Sequence, residues 1–162
     1  MIKVIDGDLL KSGADIICHQ VNCQGKMNSG VAKQIRLKYP EVYKEYVRVC
    51  NSTKNPNDLL GYAQHVSVNF GCPSVFNLFA QCNYGYDGKQ YTDINALKKS
   101  LESVHDFVKR IKKGYVEGAI FRIAMPFKIG CVRGGANWDE VYAIIEEIFE
   151  DCDVELWRLD KG

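Results

Sequence analysis

Residues 19–32, HQVNCQGKMNSGVA, set a histidine, several amide side chains, a serine and two glycines between an apolar run, ADIIC, and a helix-like one, AKQIRLKY. The imidazole of His19 can serve as a base or nucleophile near neutral pH. Asn22 can hydrogen-bond a sugar hydroxyl, or only close a turn. Glycine lets a ligand approach the backbone, and a helix beginning near Ser29 offers unpaired N–H groups at Gly30 and Val31 to an anion such as phosphate. The segment KIGCVRGGAN repeats the theme, with Gly130, Gly134 and Gly135 ahead of a helix beginning near Trp138. Two such loops on one rim could hold both phosphates of a diphosphate; the plain alternative is that the glycines only turn the chain.

Other groups admit two uses each. His19 ends an apolar run, where a satisfied structural histidine is the plain alternative. Asp8, in DGDLL, could accept a hydrogen bond from an exocyclic amine or cap a turn, and Asp87, in YDGK, is most simply a turn residue. G-x-G-x-x-G is absent, and G-x-x-x-x-G-K fails because Gln20 stands where a glycine is needed before Gly25-Lys26. No metal site is expected: the histidines at 19, 65 and 105 are far apart and lack ligand-like spacing with cysteine. No cofactor is called for.

These residues need a scaffold. MIKVI, ADIICHQV, GYAQHVSVNF, SVFNLFA, GAIFRIAMPF and DVELWRL read as strands. Helices are expected from Ser29 to about Tyr39, and from Pro40 with Val42, Tyr43, Tyr46, Val49 and Cys50 at helical spacing. A third carries the stripe Ile94, Leu97, Leu101, Val104, Val108 and Ile111 behind a Thr92 or Asp93 cap, and a fourth starts near Trp138. Strands alternating with helices favour an α/β sheet covered on both faces, with ligands bound beyond the carboxyl ends of the strands. The junctions after ADIIC, VFNLFA and AIFRIAMP should share that rim.

The 162 residues suit a single domain, 1–162. Lys and Arg total 21 against 20 for Asp and Glu, so charge makes no case for a nucleic-acid groove or an anionic membrane. No apolar run approaches the roughly 20 residues of a membrane span. Seven cysteines without a C-x-x-C pair read as reduced thiols, and a cytoplasmic monomer is expected.

The pattern resembles the macrodomain, the ADP-ribose-binding fold, and most of all its stand-alone ADP-ribose 1''-phosphate phosphatase-like members. The resemblance runs nearly end to end, through GDLL, HQVNCQGKMNSGVAKQI, KYPEVYKEYVRVC, LLGYAQHV and MPFKIGCVRGGANWDEVYAIIEEIF. It implies a three-layer α/β/α sandwich around a mixed, roughly six-stranded sheet. It also implies that Asp8 faces the adenine amine, Leu9 the purine edge and Asn22 the distal ribose. Gly30, Val31 and the backbone beside Ser29 would hold one phosphate; Gly130, Cys131, Val132, Arg133, Gly134 and Gly135 would hold the other. His19 matches a histidine implicated in catalysis, and Asp87 lies in the loop from which an acidic partner would come. Two departures stand out. Val132 and Arg133 replace the aromatic that many members set against the distal ribose. Gln81 and Gly134 stand where the glycohydrolase branch has a lysine and an aspartate.

The expectation is thus an enzyme that binds ADP-ribose 1''-phosphate and hydrolyses its phosphomonoester, with His19 as base or nucleophile and Asp87 as proton donor or orienting partner. The alternatives are an ADP-ribosyl hydrolase acting on protein or nucleic acid, a binding module without turnover, and a structural domain whose glycines only make turns.

Overall fold

Strand β2 (Ile16–Val21) is buried at nearly every position because both of its faces are covered. Ile16 and Cys18 face one buried cluster, and Ile17 and Val21 face the other. The computed structural model describes residues 1–115 and 120–159. Around β2 lie β1 (Ile2–Asp6), β3 (Ala63–Ser67), β4 (Ser74–Phe79), β5 (Ile123–Pro126) and β6 (Val154–Arg158). They form one six-stranded sheet in the order β1-β6-β5-β2-β4-β3, parallel except for the antiparallel β3–β4 pair.

The helices are α1 (Gly30–Lys38), α2 (Pro40–Ser52), α3 (Ile94–Lys112) and α4 (Trp138–Ile148). Pro40 opens α2 directly after α1, where its fixed φ suits the first turn and its missing N–H costs nothing. Ile35, Val42 and Tyr46 bring α1 and α2 onto one face of the sheet. Leu97, Leu101, Val104 and Val108 of α3, with Val141 and Ile145 of α4, cover the other face. This is the expected mixed three-layer α/β/α sandwich.

Two local readings change. The strand expected from GAIFRIAMPF is confined to Ile123–Pro126; residues 120–122 precede it without strand pairing, and residues 118 and 119 lie outside the described residues. Of the two proposed caps for α3, Asp93 is the one in place, accepting from the Ala96 N–H at 3.0 Å. All seven cysteines are free thiols. Among the described residues no helix is long and apolar enough to cross a membrane.

Candidate active site

The carboxyl ends of β2, β4 and β5 open together on a cleft of about 310 Å³, as the position of the three junctions requires. His19, Gln20 and Asn22 reach it from β2 and the turn beyond. Gln81, Tyr84 and Tyr86 come from the loop after β4; Lys128, Gly130 and Arg133 come from the loop after β5.

The first loop is tied down from below. The buried Tyr46 hydroxyl of α2 lies 2.8 Å from the Asn22 carbonyl and 2.7 Å from its Oδ1, and it accepts from the Lys26 N–H at 3.1 Å. Asn22 Oδ1 also accepts from the Gln24 N–H at 2.9 Å, while its Nδ2 donates to the Lys26 carbonyl at 2.9 Å. Most of the hydrogen-bonding capacity of Asn22 therefore shapes the loop, leaving the second Nδ2 hydrogen for a ligand.

At the far end of this loop Gly30 holds φ at +60° and begins α1, with open space where a Cβ would stand. Ser29 occupies the N-cap position as expected, but its side chain caps nothing; Oγ instead accepts from the Tyr86 hydroxyl at 3.4 Å. The first backbone bond of the helix runs from Lys33 N–H to the Ser29 carbonyl. The N–H groups of Gly30, Val31 and Ala32 are therefore uncommitted, and all three residues line the cleft. Helix α4 behaves differently. Asn137 caps it through the Glu140 N–H at 3.1 Å, and its first turn does not line the cleft. The expectation that two helix beginnings share the rim is corrected: one helix beginning and one glycine loop line the cleft.

That glycine loop is joined to its neighbour by Thr92 and Gln20. Thr92 Oγ1 donates to the Gly130 carbonyl at 2.7 Å, and Gln20 Nε2 lies 2.7 Å from Thr92 Oγ1 and 2.8 Å from Gln81 Oε1. The Gly134 carbonyl accepts from the N–H groups of Tyr91 (2.7 Å) and Thr92 (3.0 Å). Arg133 places its guanidinium 4.6 Å from the centroid of the Tyr86 ring. Tyr86 thus bridges the first and third loops.

His19 is 1% exposed, and its Nε2 lies 2.5 Å from Asn77 Oδ1. Nδ1 has no hydrogen-bond partner. Burial pushes the imidazole down to a pKa of about 4, partly opposed by the bond to Asn77, so it is neutral at physiological pH. The thiols of the first and third loops are poor nucleophiles: burial drives Cys23 up to about 12 and Cys131 up to about 11.

The depressed His19 value has a consequence for stability. Between the ordinary value of 6.5 and the folded value of about 4 the unfolded chain binds the extra proton. The stabilisation from a neutral His19 is complete above about pH 6.5 and is lost as the pH falls to about 4, a change on the order of 3 kcal/mol. Urea midpoints at pH 7.5 and 4.5 should fall further for the wild type than for His19→Gln, which has nothing to titrate at that position.

Several sequence candidates lie off the cleft wall. Asp8 accepts from the Leu10 N–H at 3.0 Å and caps a short 3-10 turn, and Leu9 packs in the core. Cys131 donates its thiol to the Ile129 carbonyl, and Gly135 packs against the backbone of Lys89 and Gln90. Asp87 accepts from the Tyr91 hydroxyl at 2.8 Å and the Lys89 N–H at 3.2 Å. The Tyr91 hydroxyl holds its carboxyl below the usual range, so at neutral pH it is a carboxylate and has no proton to give. Ser29, Gly30, Val31, Asn22, Gly130, Val132, Arg133 and Gly134 do line the cleft with His19. Missed were Tyr84 and Tyr86, whose loop carried no alignable pattern, and the partners of His19 on β3 and β4. Far from the cleft, His105 meets Asp151 at 2.8 Å beside Cys152, a proximity that sequence spacing did not signal.

Comparison with known proteins fits this geometry. The model of the Macro domain matches residues 18–145. The chain is 26% identical to the ADP-ribose 1''-phosphate phosphatase of Saccharomyces cerevisiae, covering 98% of both chains. It is 38% identical to the DNA ADP-ribosyl glycohydrolase of Mycobacterium tuberculosis, covering all of this chain but only 43% of that protein. In fold it is similar to the macrodomain of Mycobacterium tuberculosis DarG, with a TM-score of 0.79, 20% identity and 99% of both chains covered. The uncapped helix beginning, the glycine loop facing it and the extent of these matches lead to one assignment: the chain belongs to the Macro domain family.

Proposed function

We propose that the cleft binds an ADP-ribose moiety and that the protein hydrolyses the phosphomonoester of ADP-ribose 1''-phosphate. The observation that carries this reading is the meeting of two features at one cleft: the uncapped first turn of α1, and a neutral His19 in the wall whose buried Nδ1 has no protein partner. The three free N–H groups at the start of α1 suit an anionic oxygen, and the backbone of the glycine loop faces them for a second phosphate. Clamping the diphosphate orients the distal monoester over the floor of the cleft.

There, once the ring shifts to bring the buried Nδ1 to the cleft, Nδ1 takes a proton from water as the water oxygen bonds to phosphorus. The bond from phosphorus to the C1'' oxygen breaks, and that oxygen takes up a proton from solvent. The products are ADP-ribose and inorganic phosphate. A phosphate dianion brought against the ring favours imidazolium, so substrate raises the basicity of His19 when it is needed. Asp87 stands apart from this step and contributes by fixing the second loop through Tyr91. The sequence relation to the yeast phosphatase along both whole chains supports the same reading.

A second reading, removal of ADP-ribose from a macromolecule, is favoured by the 38% identity to the mycobacterial glycohydrolase. Against its lysine-based form, Gln81 and Gly134 occupy the places where that branch has its lysine and aspartate. Calorimetry with ADP-ribose should give saturable heat at sub-millimolar ligand; no heat removes both readings. Incubation with ADP-ribose 1''-phosphate should release inorganic phosphate in multiple turnovers. Release of ADP-ribose from modified DNA or protein, with no phosphate from the monoester, would replace the first reading by the second.

A further inference from the structure

Two buried amides and a backbone carbonyl form a line that ends on His19. Gln64 of β3 is 4% exposed and Asn77 of β4 is 0% exposed, both on the sheet face covered by α1 and α2. Gln64 Nε2 lies 3.0 Å from the Glu45 carbonyl of α2. Asn77 Nδ2 lies 3.0 Å from Gln64 Oε1, and Asn77 Oδ1 lies 2.5 Å from His19 Nε2.

The polarity of this line is fixed at one end. A backbone carbonyl carries no hydrogen and can only accept, so the Gln64 amide must turn its NH₂ to Glu45. Its oxygen then faces Asn77, which must present its own NH₂ to Gln64 and its oxygen to His19. Reversing either amide sets oxygen against oxygen or NH₂ against NH₂ in a buried site and forfeits the hydrogen bonds of the line. Only the ring N–H of His19 can satisfy Asn77 Oδ1, and a neutral imidazole has one N–H.

We propose that Gln64 and Asn77 are positioning residues, a one-way amide relay that fixes neutral His19 as the Nε2–H tautomer and keeps its lone pair on Nδ1. A packing role alone would need no defined direction. Direction matters because the base in the reaction above must be the nitrogen that is free of protein partners. The catalytic value of the relay rests on that reading, whereas the tautomer follows from the geometry alone.

The test begins with the wild-type protein, labelled with 15N-histidine and without ligand, in a two-bond 1H–15N correlation spectrum at pH 7. His19 should show a protonated Nε2 and a bare Nδ1; the opposite tautomer, or an even mixture, overturns the relay. Asn77→Leu should then give a mixture of tautomers. It should also lower kcat on ADP-ribose 1''-phosphate by at least about tenfold with KM little changed, because the variant alters the base and not the phosphate loops. If Asn77→Leu does not fold, Gln64→Met releases the anchor while leaving Asn77 free to flip, and it should mix the tautomers likewise. A variant that keeps the Nε2–H form and full kcat overturns the proposal. If the wild type releases no phosphate, the reaction reading fails, but the spectra still decide whether the relay sets the tautomer.

Discussion

Replacing His19 with alanine should lower phosphate release from ADP-ribose 1''-phosphate by about 10²- to 10⁴-fold, the range for loss of a positioned acid–base group. Binding of ADP-ribose, measured by calorimetry, should change little, since the phosphate loops do not depend on the imidazole. The size of the effect follows from the lack of a substitute. The thiols of Cys23 and Cys131 lie off the cleft wall and are held protonated by burial, and Asp87 is bound to Tyr91, also outside it. The pH dependence adds a check. With the free protein's imidazole at about 4, kcat/KM corrected for the fraction of monoester present as the dianion (second pKa about 6) should stay level down to about pH 5 and fall as the pH drops through about 4. An acid limb centred near 6.5 would mean that some other group, or a solvated histidine, limits the rate. Alanine leaves Asn77 Oδ1 without its donor, at a cost of about 1–3 kcal/mol, so the melting temperature must be recorded beside the rate. His19→Gln preserves a donor and should be equally inactive while melting closer to wild type. Equal rates for wild type and His19→Ala would remove His19 from the reaction.

The core was legible because its signals are local. The stripe from Ile94 to Ile111 falls on one side of a helix whatever lies beside it, and the apolar run of β2 declares a strand covered on both faces. The junctions could be placed on one rim from topology alone. What the loops do there could not. Ser29 has the right identity for a cap, yet Tyr86, far along the chain, takes its hydroxyl. Asn137, three residues ahead of Glu140, has the identity and spacing of a cap, but nothing in the sequence says that the capped turn would lie off the cleft. Asp8 and Asp87 each find a hydrogen-bond partner within four residues, the local contact that a turn residue makes. The relay to His19 spans three separate segments of chain, so no spacing encodes it. One trace was available: Asn77 is a strongly polar residue among Val75, Phe76, Leu78 and Phe79 in a central strand, and such a group is retained only with partners.

Adding one methyl group at Gly134 should do more damage than at any exposed glycine of the cleft. A Cβ there would stand 2.1 Å from Thr92 Oγ1, 2.5 Å from the Gly130 carbonyl and 3.1 Å from Gln20 Nε2. None of these can yield cheaply. The Gly130 oxygen is backbone, and Thr92 Oγ1 is held between that oxygen and Gln20 at 2.7 Å on either side. The clash must therefore be relieved by moving the glycine loop, which breaks the bonds from Tyr91 and Thr92 to the Gly134 carbonyl. Gly134→Ala should lose about 1–3 kcal/mol of stability by overpacking, read as a lower melting temperature. It should also weaken ADP-ribose binding by at least about tenfold, since 1.4 kcal/mol of misplaced phosphate contacts suffices. Gly114→Ala is the matching control: its Cβ would meet only the Ile111 carbonyl at 3.6 Å, at the end of α3, and both readouts should stay at wild type. If Gly134→Ala binds and melts like wild type, the loop after β5 is not held by Thr92 and Gln20 in solution. The second phosphate would then have to be placed elsewhere, while the first would still have the start of α1.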